Sequence, residues 1–260
     1  MAICRNDRVI CHPYRCVFVH VPKSAGISIE HVFLRLLGLT WETRAPLLLR
    51  HNDDPAKGPP RLAHLKASEY VSLGYLTQQQ FDSYFKFSFV RNPWDRIVSE
   101  YRYRRFPVRM DFKTYLFRHL PPIGFSDQYT HIIPQYDFLY DEQEKLLADF
   151  VGRYESLQAD FDEVCARLGI PATPLPHANR SGEGKAPIRT LNDVKKLLRR
   201  WLWNLERRHT FPHYSQYYDE ESREFVAQLY RKDIRAFGYS FEMPVNGPQS
   251  SRSASRFLVR

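Results

Sequence analysis

The chain has 260 residues, 43% of them hydrophobic and 26% charged, with a formal net charge of +9. That length suffices to bury one sizeable core, and the positive balance points to anionic ligands. The sequence has no run of about 18 apolar residues to span a bilayer. It also has no helix-turn-helix, zinc-finger or RNA-binding signature, and its four cysteines, Cys4, Cys11, Cys16 and Cys165, have no zinc spacing. Nucleic acid is therefore not an expected partner.

Residues 1–15 read as an N-terminal extension. Arg5, Asp7, Arg8 and His12 interrupt any signal-peptide core there, so the expected location is the cytoplasm, which also suits unpaired cysteines. Residues 17–21 form an apolar run that predicts a buried strand, ended by Pro22. Next comes a short polar loop containing Lys23, Ser24 and Gly26. The spacing of Ile29, Val32, Phe33, Leu36 and Leu37 then predicts an amphipathic helix starting near Ser28 and stopping at Gly38. In such a strand–loop–helix unit the free N–H groups of the helix start receive anions, and Gly26 lets the backbone approach a ligand. The loop is not a Walker A loop, because its lysine comes first rather than at the helix start. Taken alone, it is equally a simple connecting turn.

A second unit follows the same plan. Residues 85–90 predict a strand, ended by Arg91-Asn92-Pro93, and the helix after it buries Ile97, Val98 and Tyr101. Ser99 lies eight positions after Arg91, a little over two turns at about 3.6 residues each, so a turn at Asn92-Pro93 would let a guanidinium and a hydroxyl converge on one phosphate. The plainer alternative pairs Arg91 with Asp95 and leaves Ser99 in solvent. Glu100 and Arg104 have the spacing of a helical ion pair, and Arg102, Arg104, Arg105 and Arg109 cluster just beyond.

Residues 146–151 predict another strand, followed by a helix with Leu157, Phe161, Val164 and Leu168 on one face and Gly169 at its end. Residues 183–212 form a long insertion. Within it, Leu191, Val194, Leu198, Trp201 and Leu205 make an apolar face bordered by lysines and arginines. This segment suits a packed surface helix, a basic lid over an acidic acceptor, or peripheral contact with a membrane surface. Asp219 opens a late helix carrying Phe225, Val226, Leu229, Tyr230, Ile234 and Phe237 and closed by Gly238, and residues 244–260 have the composition of a disordered tail. Strands alternating with helices place the chain in the α/β class, with a central, mainly parallel sheet flanked by helices in three layers.

The pairing of PKSAGIS (22–28) with RNPWDRIVSEY (91–101) resembles the sulfotransferases that use 3′-phosphoadenosine 5′-phosphosulfate (PAPS), in particular the heparan- and chondroitin-type carbohydrate O-sulfotransferases. The likeness continues through HLKASEY, PQYDFLYDE, LPHANRS and the segment from His213 to Phe241, and is greatest to short, soluble members of bacterial type. It implies a P-loop-like domain over residues 16–243. Lys23, Ser24, Ala25, Gly26, Ile27 and Ser28 would hold the 5′-phosphosulfate, and Arg91 and Ser99 the 3′-phosphate. Ile27 departs from the pattern, which commonly has threonine there.

By the same resemblance His64 is the base that activates the acceptor, with Glu69 nearby to orient it. His131 and Gln135 would line the acceptor cleft, with His131 a substitute base, and Arg102 would face the acceptor. His177, Asn179, Arg180 and Ser181 resemble a loop near the nucleotide. The implied co-substrate is PAPS, the product is 3′-phosphoadenosine 5′-phosphate, and no metal is required. The implied acceptor is a hydroxyl of a saccharide or glycoconjugate. Sulfuryl transfer builds charge on the departing phosphate and on the entering hydroxyl, which a lysine with a helix N-terminus, and a base, respectively answer. Two alternatives remain open from the residues: an ATP-dependent small-molecule kinase, and an inactive nucleotide- or polyanion-binding protein.

Overall fold

In the computed structural model, which describes residues 10–176 and 209–242, the first apolar run forms β2 (Cys16–Val19), preceded by a two-residue strand β1 (Ile10–Cys11). The second run forms β3 (Phe85–Val90) as expected, and β4 spans Phe150–Arg153. The sheet order is β1-β2-β3-β4. β1 runs antiparallel to β2, whereas β2 pairs with β3 and β3 with β4 in parallel, with Val17 opposite Lys86 and Phe89 opposite Gly152. All four residues of β2 are buried, as are five of six in β3, so both faces of each strand are covered; β2 is apolar at every position, whereas β3 buries Lys86 and Ser88 between its phenylalanines.

Two polar residues sit inside β3, and each is satisfied. Ser88 is fully buried and its hydroxyl donates to Val19 O at 2.6 Å. Lys86 reaches the carbonyls of Phe81 and Tyr84 and lies 2.8 Å from Asp149.

Helix α1 (Gly26–Leu36) starts two residues earlier than its apolar spacing suggests and buries Ile29, Val32 and Phe33 against the sheet core. Short helices α2 (Glu69–Ser72) and α3 (Gln78–Ser83) lead into β3. After β3, Asn92 caps α4 (Pro93–Tyr103): its side chain accepts from Trp94 N–H at 3.1 Å, with Pro93 in the first turn. Three short helices, α5 (Phe112–Arg118), α6 (Asp127–Ile132) and α7 (Gln135–Leu139), precede β4. Helix α8 (Leu157–Leu168) ends at Gly169, whose φ of +65° is the left-handed value a helix stop of this kind uses.

The strand expected over 146–151 forms later, at 150–153. Leu146 makes only an isolated bridge to Tyr140, and Leu147 N–H is spent on Leu139 O, so the earlier residues are committed to a turn. The late helix is also two helices, α9 (Glu220–Leu229) and α10 (Arg231–Phe237), capped by Asp219 and stopped at Gly238. Tyr230 breaks it at φ −111°, ψ 29°, where its buried hydroxyl donates to Ile132 O at 2.9 Å.

One apolar cluster lies around the sheet, α1 and α8. A second is built by Trp94, Ile97, Val98 and Tyr101 of α4 against Phe112, Tyr115, Leu116, Ile132, Tyr214, Tyr217, Val226 and Tyr230. Residues 177–181, the basic segment 191–208 and the tail from 244 lie outside the described residues, as do residues 1–9.

Candidate active site

The loop between β2 and α1 is set by two left-handed residues, Lys23 at φ 69° and Ala25 at φ 67°, on either side of Ser24. A turn of this kind running directly into a helix gathers backbone N–H groups where an anion is favoured. The loop is braced from behind. A Cβ on Gly26 would stand 1.9 Å from His20 Nε2, so the His20 ring fills the space that glycine leaves. His20 Nδ1 lies 2.7 Å from Glu30 Oε1 of α1, close but out of line for a well-formed hydrogen bond. Gly26 is thus required by packing against His20 as well as by any close ligand approach.

The second unit clamps the first. Arg96, 1% exposed, donates from Nε to Pro22 O at 3.0 Å and from Nη2 to His131 O and Ile133 O at 2.9 and 2.8 Å. It ties the loop between β2 and α1, α4 and the end of α6 together.

A cavity of 710 Å³ opens over this junction. Lys23, Ala25, Gly26, Ile27, Ser28, Arg91, Ser99, Arg102, His64 and His131 all line it, joined by His20, Arg61, Tyr103 and Tyr154. Ser24 and Gln135, expected there by resemblance, do not line it. The Ser24 side chain turns inward, its hydroxyl 3.5 Å from Gln135 Oε1. Gln135 is fully buried, accepting from Arg91 N–H at 2.8 Å and donating to Arg91 O at 2.8 Å; it positions the strand end rather than the acceptor cleft.

Lys23 extends over the Tyr103 ring, with Nζ 3.7 Å from the centroid. Burial pushes its pKa down to about 8, opposed by Glu100 and reinforced by Arg91, Arg104 and Arg96. Arg91 does pair with Asp95, at 2.7 Å, yet its guanidinium also donates to Lys23 O at 3.3 Å and stacks 3.9 Å above Tyr154. Arg91 is thus ion-paired with Asp95, as the plainer alternative has it, and also faces the cavity, which Ser99 lines as well. Arg102 donates to Tyr217 Oη at 2.8 Å and to Phe211 O.

His64 is buried at the end of a short 3-10 turn, and its Nδ1 lies 3.3 Å from His20 O. A carbonyl only accepts, so this contact puts the proton on Nδ1 and leaves Nε2 bare. Glu69 does not orient His64: its Oε2 accepts from Lys66 N–H at 2.7 Å and so serves the start of α2. Burial drives the His64 pKa well below the usual imidazole value, with His20 and His131 adding to the shift.

His131 follows the same logic. Its Nδ1 donates to Glu100 Oε2 at 2.8 Å, and burial holds its pKa below the ordinary value although Glu100 and Asp127 oppose the shift. Burial pushes Glu100 upward, but its bonds to His131 and to Arg104, at 2.6 Å, more than offset this and keep it ionised. The rings of His20, His64 and His131 stand in edge-to-face sequence, 4.5 and 5.2 Å between centroids. His20 carried no motif of its own in the sequence; its position just before the loop was the available signal. Asp127 gave none, being a surface-type residue at the start of a six-residue helix.

Two strand–loop–helix units of an α/β protein open onto one cavity lined by Lys23, Arg91, Arg61 and Arg102. The family profile described as "Sulfotransferase family" matches residues 6–240, and the chain belongs to that family. Over 98 residues, 37% of this chain, it is 31% identical to a protein named carbohydrate sulfotransferase 10 from Danio rerio, of which the match spans 25%. Over 96 residues, 35% of this chain, it is 33% identical to an uncharacterized protein from Archaeoglobus fulgidus, of which the match spans 72%. No solved structure matches the chain significantly. Among the described residues no helix is long and apolar enough to cross a membrane.

Proposed function

We propose that the chain transfers the sulfuryl group of PAPS to a hydroxyl of a saccharide or glycoconjugate, on a three-layer P-loop-like domain, in the cytoplasm and without a required metal ion. The observation that supports this reading most strongly is the shared cavity, to which Lys23, Gly26 and Ser28 come from one unit, Arg91 and Ser99 from the other, and His64 from the segment between them. The likeness to a carbohydrate sulfotransferase supports the choice of acceptor.

In this mechanism the loop 23–28 and the start of α1 hold the 5′-phosphosulfate, while Arg91 and Ser99 hold the 3′-phosphate. The sulfuryl unit moves in line from phosphate to acceptor oxygen. Lys23 and the α1 N–H groups stabilise the charge that builds on the departing phosphate. His64, neutral and with Nε2 bare, takes the acceptor proton as the new bond forms. Positioning and electrostatics supply most of the rate, by analogy with phosphoryl transfer.

Calorimetric titration with 3′-phosphoadenosine 5′-phosphate, AMP and Mg-ATP tests the donor site. Preference for the 3′-phosphorylated nucleotide, lost in Arg91→Ala, is the expected result. Equal binding of AMP, or preference for Mg-ATP, would remove the sulfotransferase reading in favour of a kinase.

A further inference from the structure

Beside His64 lies a group of hydrogen-bonding atoms, two of which, His131 Nε2 and Asp127 Oδ1, have no well-formed hydrogen bond among the described residues. One ring nitrogen each of His64 and His131 and a carboxylate oxygen of Asp127 lie within 4.8 Å of one another. His131 Nε2 and Asp127 Oδ1 stand 3.5 Å apart, both buried and both without a well-formed hydrogen bond. The His131 tautomer is fixed by Glu100 at Nδ1 and that of His64 by the His20 carbonyl, so both imidazoles present a lone pair to this space. Arg61 Nε lies 2.9 Å from Asp127 Oδ1 but out of line, and Arg104 is engaged at Oδ2 at 2.7 Å.

A nest of acceptors calls for donors. A divalent cation is one answer by ligand type, but Arg61 and Arg104 already neutralise Asp127 and Glu100, and Lys23 lines the same cavity. Further positive charge is therefore opposed at short range. Neutral donors suit the site better. A single hydroxyl carries one proton, and if that proton goes to His64 the His131–Asp127 pair stays unsatisfied. Two adjacent hydroxyls supply one donor to each.

We propose that His131 and Asp127 seat the hydroxyl next to the one that reacts, so that the acceptor is selected as a vicinal diol, with Asp127 a specificity-determining residue of the site. This rests on the sulfotransferase reading. Leaving a buried acceptor pair unsatisfied costs about 10- to 100-fold in binding terms, so a lone alcohol or a phenol is rejected by about that factor.

The test uses radiolabelled PAPS with matched probes: cis- and trans-cyclohexane-1,2-diol against cyclohexanol and 2-methoxycyclohexanol, and methyl glycosides against their monodeoxy counterparts, with 4-nitrophenol as the phenol. We expect kcat/KM for diol-bearing probes to exceed that of their partners by roughly 10- to 100-fold. That ratio should collapse in Asp127→Asn and in His131→Gln while binding of 3′-phosphoadenosine 5′-phosphate persists. Equal turnover of diol and monool, an unchanged ratio in both variants, or no transfer to any diol by protein that binds the nucleotide would overturn the proposal. So would one-to-one micromolar binding of Zn²⁺ that is lost in His131→Gln, which would make the nest a cation site. Absence of nucleotide binding in the wild type is the separate outcome that sinks the sulfotransferase reading itself.

Discussion

Gln135 holds Arg91 by its backbone from both sides, accepting from the N–H and donating to the carbonyl, each at 2.8 Å. Gln135 is itself fixed by Asp233, which accepts from its N–H at 2.9 Å and from Tyr136 N–H at 2.8 Å. The end of β3 is therefore tied to α10, whose residues touch the cavity nowhere. Replacing Gln135 by Met leaves the Arg91 N–H and carbonyl unmatched inside the protein, while Asp233 loses one side-chain contact and keeps its two backbone donors. Denaturant unfolding should show a loss of about 2–4 kcal/mol, from buried groups at about 1–3 kcal/mol each, together with weaker nucleotide binding.

Arg91→Ala should weaken binding of 3′-phosphoadenosine 5′-phosphate by roughly 10- to 150-fold, the range for hydrogen bonds to charged groups. AMP binding should change little. Ser99→Ala should act in the same direction and more weakly, and calorimetry with both nucleotides separates the effects.

His64→Gln should lower turnover by about 10²- to 10⁴-fold, the usual span for a general base. Nucleotide affinity should stay within a factor of two or so of wild type, because the side chain is assigned to the acceptor and not to the donor. An unchanged rate would return the role of base to His131.

Lys23, with a pKa near 8, is half neutral at pH 8 in the free protein. An anion beside it favours the charged form, so nucleotide binding at that pH should take up protons. Titrations at pH 8 in buffers of different ionisation enthalpy should give enthalpies that differ with the sign of uptake, and Lys23→Met should abolish the difference.

Asp233 is fully buried, and burial raises its pKa from 3.8 to about 6, against Arg96 and its own hydrogen bonds. Its folded pKa exceeds the unfolded one, so the folded state binds more protons between about pH 4 and 6 and this stabilisation is lost as pH rises through that window. Two units correspond to about 3 kcal/mol. Thermal unfolding of Asp233→Asn and wild type should accordingly shift in favour of the variant between pH 4 and pH 7. His64 and His131 act with the opposite sign: their lowered pKa values make stability fall as pH drops below about 6.5, so the comparison with the variant is what isolates Asp233.

The local elements were legible where one chain segment decides them. Strand 85–90, the Asn92-Pro93 helix start and the Gly169 and Gly238 stops depend on apolar runs, a capping side chain and left-handed glycines that the sequence displays directly. The break at Tyr230 and the delayed start of β4 were not, because each is decided by a partner remote in sequence: Ile132 O for Tyr230 and Leu139 O for Leu147. The same division runs through the site. The Lys23 loop and Arg91 were readable as motifs. The inward turn of Ser24, the role of Gln135 behind Arg91, and the pairing of His131 with Glu100 follow from side chains that meet only after folding.

The ring of His20, lodged where Gly26 has no side chain, packs directly behind the loop between β2 and α1, whose Lys23 and Ala25 are left-handed. A loop already held in two left-handed turns loses little conformational freedom when an anion arrives, so more of the interaction energy is expressed as affinity. Enlarging position 26 by one methyl would force ring and loop apart, whereas removing the ring alone would leave the loop intact but free to wander. The two substitutions should thus weaken nucleotide binding for different reasons, one by misshaping the cradle and the other by restoring the entropy that folding has already removed.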